Sequence, residues 1–544
     1  VEFSASIQDL DSQQSDNIIN IPGKTGHQLV KKATGEVLGF SYFNSVDELT
    51  MIMKRARVAQ VEWAQKKVGQ RAAIIRRASS YIAKNCDQLA RTISDDNGKT
   101  RADAVITELF PSAMAASYYA RKAEKFLKER LLMPGHLLLA NKISRITRVP
   151  FGVIGIISPW NYPFSIPFSE IVMGLLAGNC VILKTASETQ MVGKALKELF
   201  ESIGLPPDVF NYINMPGKVA GDAFLEAGVD KLFFTGSVSV GKYLMAKAAK
   251  SLTPVSLELG GNDAMVVCAD ADLQRAADGA VWAGFQNAGQ SCGGVERIYV
   301  HSSVYDQFLE LLKTKTESLR VGYDTDFNVD IGVMTTERQM RTVQSHIDDA
   351  LAKGAVIHAR ATLAPEEKWH NVIAPVVLTG VNHEMVVMKE ETFGPVLGVM
   401  KVDNMDEAVE LANDSTLGLT GSVWSSDRKK ALAIARRIKA GAVTVNDHLM
   451  SHGLAETPWG GFKESGIGRT HGEIGFQEMS EPQVIVEDIM PFVKRNMWWH
   501  PHDITVYQGI KGLLEMLYGS GFINRISGSA SMVRLYMRTF ARGK

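Results

Sequence analysis

An alternation that begins near Ile143 constrains this chain more than any other feature. ISRITRVPFGVIGIISPWNYP reads as strands that end in a turn. After it the pattern predicts helix 168–177, strand VILK (181–184), helix 189–203 and strand FNYIN (210–214). Helix 218–227, strand KLFFTG (231–236) and helix 240–250 continue the series. Strands separated by helices of this length imply a parallel sheet with right-handed crossovers. The strands are short and apolar with little alternation, as expected when helices cover both faces. A second alternating region runs from SLELGG to about residue 446. It includes AMVVCAD, helix 272–287, ERIYVH, VVLTG, LGVMKV, helix 405–412 and VTVND. Upstream, apolar residues recur at helical spacing from Val46 to about Asn97 and over roughly 101–130. KTGHQLVKKATGEVLGF is predicted as a short hairpin. The expected fold class is therefore α/β, with two Rossmann-like domains.

Composition narrows the function classes. There are 59 basic and 59 acidic residues, so the bulk charge gives no argument for a nucleic-acid partner. The four cysteines, Cys86, Cys180, Cys268 and Cys292, form no CxxC pair, and a reducing compartment is the better expectation. VEFSASIQDLDSQQ has no basic region followed by an apolar core, so no signal peptide is recognised and a cytoplasmic location is expected. The most apolar long stretch, IPFSEIVMGLLAGNCVILK, carries Glu170 and reads as a buried helix running into a strand rather than a membrane span.

Four stretches can carry chemistry. GQSCGG places Cys292 among small residues. An isolated cysteine is most often a small core hydrophobe, but Gly289, Gly293 and Gly294 let backbone approach a substrate. A helix starting nearby would lower the thiol pKa. Glu258, in LELGG, is either a strand-end carboxylate in a salt bridge or a general base facing a cleft. SPWNYP makes a rigid turn in which Asn161 is a structural asparagine or a donor to an oxyanion. FTGS, with Gly236 and Ser237 followed by Gly241, joins a strand to a helix and can seat a pyrophosphate, although it lacks GxGxxG. No stretch carries a metal-ligand pattern, and His448 and His452 have no accompanying carboxylate–histidine motif.

Together these pieces are more specific than any one alone. SPWNYP, VILK, FTGS, LELGG, GQSC followed by Arg297, EETFGPV and PWGGFKESGIGR occur in one order between about residues 20 and 490. The chain thereby resembles the NAD(P)-dependent aldehyde dehydrogenase superfamily. That resemblance implies irreversible oxidation of an aldehyde to a carboxylic acid. Cys292 would form a thiohemiacetal and then a thioester, Asn161 and the Cys292 amide would hold the oxyanion, and Glu258 would activate the hydrolytic water. It also implies cofactor contacts at Trp160, Lys184, Ser187, Gly236, Ser237, Gly241, Glu391 and Phe393. NAD-preferring members commonly carry a glutamate three residues after the lysine. Here Ser187 stands there and the glutamate is displaced to 188, which opens the site to NADP as well as NAD.

By the same resemblance, residues 1–127 and 150–262 form the cofactor-binding domain and 263–465 the catalytic domain. Residues 128–149 start an oligomerisation flap, and 466–490 return to the core and complete it, giving a homodimer or homotetramer. The expected substrate entrance draws on Phe164, Phe168, Gln290, Ser291, His448 and His452. No arginine lies within 164–169, 286–291 or 448–456 to grip a second carboxylate. An apolar aliphatic or aromatic aldehyde is thus favoured over a semialdehyde of a dicarboxylic acid. A catalytically dead structural relative should lack Cys292 or Glu258, and both are present.

Residues 491–544 extend beyond the shared core and hold eight basic side chains against two acidic ones, net +6. WWHP and the amphipathic ITVYQGIKGLLEMLYG need covering. Packing on the protein's own surface or on a neighbouring subunit is one outcome; peripheral contact with an anionic membrane is the other.

Overall fold

The computed structural model describes residues 18–21, 24–136, 139–363, 369–490, 492–493, 495–520 and 522–540. Residues 1–17 and the basic residues Lys494, Arg542 and Lys544 lie outside them. The described chain divides into two units. One comprises the described residues up to Leu127 together with Val149–Glu481; the other comprises Lys128–Arg148 and the described residues from Pro482 onward.

Two parallel sheets organise the larger unit. In the first, the strand order is Gly466–Ile467, Val255–Glu258, Lys231–Thr235, Val153–Ile157, Cys180–Lys184 and Phe210–Ile213. All neighbours are parallel except the short Gly466–Ile467 strand. Every residue of Val153–Ile157, Cys180–Lys184 and Lys231–Thr235 is buried, which explains the missing polar alternation. The chain moves outward from Val153–Ile157 in one direction, then returns to its other side with Lys231–Thr235. Such a reversal opens a crevice at the carboxyl ends of the two strands.

Helix Ser165–Ala177 is buried on every side, so the apolar run seen in the sequence is core. Gly178, at φ 102°, ends it in a left-handed cap. The N-terminal hairpin is present as Lys24–Val30 paired with Val37–Tyr42, with Ile18–Ile21 added on the other side.

The second sheet runs Val356–Arg360, Val376–Thr379, Val396–Val402, Val295–His301, Asp263–Val267, Thr420–Trp424 and Ala442–Val445. Only the first pair is antiparallel. Four residues, Leu259–Asn262, carry the chain from the end of the Val255–Glu258 strand in one sheet to Asp263 in the other. Asp263 lies opposite Val295, the residue that opens the next strand three positions after Cys292. The exit edge of the first sheet is thereby brought to the entry edge of the second.

In the smaller unit, Arg130–Leu132, Lys142–Pro150 and Ser480–Asp488 form a three-stranded sheet. Arg145 pairs with Glu129 and Glu487, and Lys142 with Asp488. Val484, Ile485 and Val486 are exposed on its edge region. The tail then forms two helices, Ile504–Tyr518 and Phe522–Phe540. The sequence pattern had indicated only the first.

Candidate active site

Cys292 is held by a turn with unusual backbone. Asn287, Ala288 and Gly289 are three consecutive residues at positive φ, of 54°, 53° and 69°. A side chain on Gly289 would strike the Gly394 backbone, so glycine is required there on two grounds. The helix expected over 272–287 stops at Phe285 because of this turn. No helix starts at Cys292, contrary to the reading that a helix terminus would acidify the thiol. Instead burial pushes the thiol upward, and the carboxylates of Glu391, Asp263 and Glu258 add to the rise. The thiolate must therefore be generated within the site.

The SPWNYP turn is fixed from beneath. Lys99 and Glu108 form a fully buried ion pair at 2.7 Å. Lys99 also donates to the Asn161 carbonyl at 2.8 Å, and Glu108 accepts from the Phe164 and Ser165 amides at 2.7 and 3.2 Å. Removing one partner of such a pair leaves an uncompensated charge and costs about 3–5 kcal/mol. The Asn161 amide nitrogen donates to the Gln290 carbonyl at 3.1 Å, as does Asn287. The asparagine side chain thus reaches the cysteine turn itself.

The Cys292 sulfur-bearing residue lines two adjoining cavities. One is mainly apolar, walled by Ile106, Pro111, Tyr162, Ile166, Trp282, Leu449, Met450 and Trp459, with Ser291 and His452. The second also meets Ile166, His452 and Trp459, and adds Glu258, Glu170, Thr235, Thr470 and His471. Burial raises the Glu258 carboxyl well above the usual carboxylate range; nearby Glu170 raises it further and Arg469 opposes both. Neither Glu258 oxygen has a hydrogen-bond partner among the described residues. Gly460, at φ 146°, covers the carboxyl so closely that a Cβ would come within 3.0 Å of its oxygen. A buried carboxyl without partners, beside a thiol, has the raised proton affinity of a general base. Burial also lifts Glu170 to about 8. His452, stacked edge-on against Trp459 and His471, is lowered to about 4 by burial and stays neutral.

Four of the expected entrance residues are placed elsewhere or act differently. Phe164 and Phe168 are fully buried, stack on each other at 5.6 Å, and continue into Phe200; they belong to the core because the Ser165–Ala177 helix is enclosed. The Gln290 side chain is consumed by bonds to the Asn287 carbonyl and the Thr335 amide. His448 is tied to Thr420 and the Gly293 carbonyl, behind the cysteine turn. Ser291 and His452 do line the Cys292 cavities.

Sequence reasoning missed Glu170, Tyr162, Trp459 and His471 as site residues. Glu170 had a usable signal, as the one charge inside an otherwise apolar helix.

A large cleft of about 670 Å³ opens where the first sheet's strand order reverses. Ile157–Trp160 and Phe234–Ser237 line it from the two diverging strands, with Lys184, Ser187 and Glu188 alongside. Ser237 caps helix Val238–Ala248 without a side-chain cap bond; its hydroxyl meets that of Ser239 at 3.3 Å, and the two stand at the helix N-terminus where an anion would be received. The Lys184 ammonium is buried and has no hydrogen-bond partner among the described residues. Burial lowers it while Glu188 pulls it back. An unpartnered cation, a helix N-terminus and a long cleft fit a dinucleotide.

Gly241 does not line the cleft; its missing side chain admits Leu259 against the helix. Glu391 accepts from the Gly261 amide at 2.9 Å, and Phe393 meets Trp160 edge-on at 5.3 Å. Gly261 in turn could not carry a Cβ without striking the Cys292 carbonyl. Glu391 therefore sits one residue's width from the cysteine.

The aldehyde dehydrogenase family model matches residues 21–485. A 4,4'-diapolycopene aldehyde oxidase from Methylomonas sp. is 37% identical over 490 residues, covering 90% of this chain and 91% of the relative. A putative succinate-semialdehyde dehydrogenase [NADP(+)] from Mycolicibacterium smegmatis is 38% identical over 484 residues, covering 88% and 90%. Among solved structures, an NADP-dependent enzyme of E. coli superposes with a TM-score of 0.81 at 32% identity, covering 85% of this chain and 95% of the other.

Proposed function

Because the chain belongs to the aldehyde dehydrogenase family and its activity is NAD(P)-dependent aldehyde oxidation, we propose that its substrate is an apolar aldehyde, oxidised on Cys292 and released by Glu258. The wall of the Cys292 cavity carries this reading. Ile106, Pro111, Ile166, Trp282, Leu449, Met450 and Trp459 face it, with no lysine or arginine among the lining residues. A second carboxylate on the substrate would be desolvated there without a partner.

In the proposed sequence, the Cys292 thiol passes its proton to water in the chamber as its sulfur bonds to the aldehyde carbon. The Asn161 amide and the Cys292 N–H stabilise the oxyanion of the thiohemiacetal. A nicotinamide dinucleotide in the cleft would supply the hydride acceptor needed to reach the thioester level. Lys184 and Ser237 would hold its ribose and phosphates, and Glu391 the ribose nearest the cysteine. Glu258 then takes a proton from the attacking water, the C–S bond breaks, and acid and thiol are released. Glu258 is suited to this because burial raises its proton affinity, so that its carboxylate is a stronger base than a solvated one.

We further propose that NADP is used, alone or with NAD. Ser187 puts no charge into the cleft at the position where NAD-preferring members carry a glutamate, and Lys184 is available to a 2′-phosphate. Glu188 also borders the cleft and is the group that would oppose it. Assembly as a homodimer or homotetramer is supported by the exposed apolar strand Ser480–Asp488.

The relatives include a putative succinate-semialdehyde dehydrogenase, which favours a semialdehyde as second reading. An aldehyde panel separates the two. The apolar reading expects kcat/KM for medium-chain or aromatic aldehydes to exceed that for succinic semialdehyde by about tenfold or more. A preference for the semialdehyde would overturn it.

A further inference from the structure

The C-terminal helix pair is built with its small residues inside and its large apolar residues outside. Gly509 packs on Leu535, and Gly512 packs on Gly528 and Ser531. A Cβ at Gly512 or Gly528 would collide with the backbone of the facing helix. Small residues let two helices approach closely without a wide apolar seam. The buried cluster is correspondingly slight: Met497, Val506 and Leu535, with Ile510 beside them.

The outward faces are apolar. On Ile504–Tyr518 the exposed positions are Ile504, Tyr507, Gln508, Lys511, Leu514 and Tyr518; at helical spacing these form one stripe pointing away from the partner helix, in which Ile504, Tyr507, Leu514 and Tyr518 are large and Gln508 and Lys511 polar. On Phe522–Phe540, Phe522, Ile526, Val533, Met537 and Phe540 repeat the arrangement. Water-soluble helix pairs place such residues in the seam. Trp498 and Trp499 are also exposed, at 41% and 52%. Their loop is pinned to the second helix by Arg538, which donates to the Met497, Trp499 and Pro501 carbonyls.

Charge says what covers these faces. The tail's sequence carries net +6; of its eight basic residues, Lys494, Arg542 and Lys544 lie outside the described residues and Arg538 is buried. Of its two acidic residues, Asp503 caps a helix and Glu515 neighbours Lys511 at 3.7 Å. Lys511, Arg525 and Arg534 are exposed among the apolar residues, where long side chains can keep their charges at a polar boundary. Among the described residues, no helix is long and apolar enough to cross a membrane. We propose that the helix pair and the Trp498–Trp499 loop form a docking surface for an anionic lipid bilayer, lying at its interface without spanning it. Aromatic side chains at the headgroup level, apolar flanks and cationic side chains are the three elements such a contact needs. Catalysis is not required for it, so it stands or falls apart from the substrate reading.

Flotation of the full chain with phosphatidylcholine vesicles, with and without phosphatidylserine, tests the proposal. The protein should float with the anionic vesicles and lose most of that binding at high salt. Tyr507→Glu/Leu514→Glu/Met537→Glu should cut the floated fraction by about tenfold or more. Turnover of a water-soluble aldehyde should be unchanged, which shows that the variant is folded. Trp498→Ala/Trp499→Ala should weaken flotation to a lesser degree and provides a second, milder variant. Failure of the full chain to float with either vesicle would overturn the proposal. So would a drop in oligomer size on gel filtration caused by the same triple substitution, since the face would then be a contact between copies of this chain.

Discussion

The dinucleotide cleft and the Cys292 chamber adjoin the same turn, SPWNYP, yet they are made differently. The cleft is wide and follows from topology: two parallel strands diverge, their turns face each other, and a helix N-terminus points in. Its lining offers backbone, hydroxyls and Lys184 among its polar groups. The chamber is narrow and depends on burial. Glu258, Glu170, His452 and His471 all have their protonation set chiefly by loss of water. Water is available to screen charge in the first and is mostly excluded from the second. Substitutions in the cleft should therefore redistribute affinity, whereas those in the chamber should change chemistry and its pH dependence.

The largest expected effect is at the nucleophile. Cys292→Ala should lower aldehyde-dependent production of reduced cofactor by at least about three orders of magnitude, with dinucleotide affinity retained by equilibrium titration. Comparable loss of affinity would show that chamber and cleft are not separable.

Glu258→Gln should reduce steady-state turnover by about 10²–10⁴-fold. Rapid mixing should still show a burst of reduced cofactor, because the thioester forms but is not hydrolysed. A vanished burst would move Glu258 to the first half-reaction.

On the cleft side, Ser187→Glu should lower kcat/KM for NADP by about ten- to a hundredfold relative to NAD, through repulsion of the 2′-phosphate. An unchanged ratio would assign cofactor choice to Glu188 instead.

The smallest effect, and the sharpest for the comparison, concerns Glu170. Its charge raises the Glu258 carboxyl. Glu170→Gln should therefore shift the acid limb of the kcat profile to lower pH by about one unit, with little change at the plateau. The same carboxyl lies at about 8 when folded, against an ordinary 4.5. The folded state holds that proton more tightly, so stability is greatest below about 4.5 and falls as pH rises toward 8. Denaturant midpoints of the Gln variant should decline less steeply over this range, by the share that Glu170 contributes. An identical slope in both proteins would mean that Glu170 is solvated in solution.

Much of this was readable in advance. Strand and helix positions in the first parallel sheet fell close to the sequence pattern, because strands covered on both faces must be continuously apolar. The family resemblance pointed to Cys292, Glu258 and Asn161; in the structure Glu258 and Cys292 line one cavity and Asn161 bonds to the Gln290 carbonyl of the cysteine turn. Phe164 and Phe168 were misplaced for a physical reason. Nothing in FSIPFS says which side of the helix meets solvent, and here neither does. Gln290 and His448 look like free polar groups in the sequence and are spent on distant backbone partners. Glu170 acquires its role only when the Ser165–Ala177 helix packs beside the end of the Val255–Glu258 strand, 88 positions from Glu170 to Glu258 in sequence. The inverted helix pair was half legible: an amphipathic first helix was visible, but which face its glycines would turn to a partner was not.

By itself, the sequence determined an alternating α/β chain, a rare thiol in a glycine-rich turn and a serine where a charge is common near the ribose. These are local properties, set by residue size, periodicity and charge. Only the tertiary structure decided that the thiol would be buried rather than acidified, that two carboxyls would share its chamber, and that the tail would turn its apolar residues outward. Each of those depends on what water is excluded from, and exclusion of water is a property of packed surfaces, not of neighbouring residues in the chain.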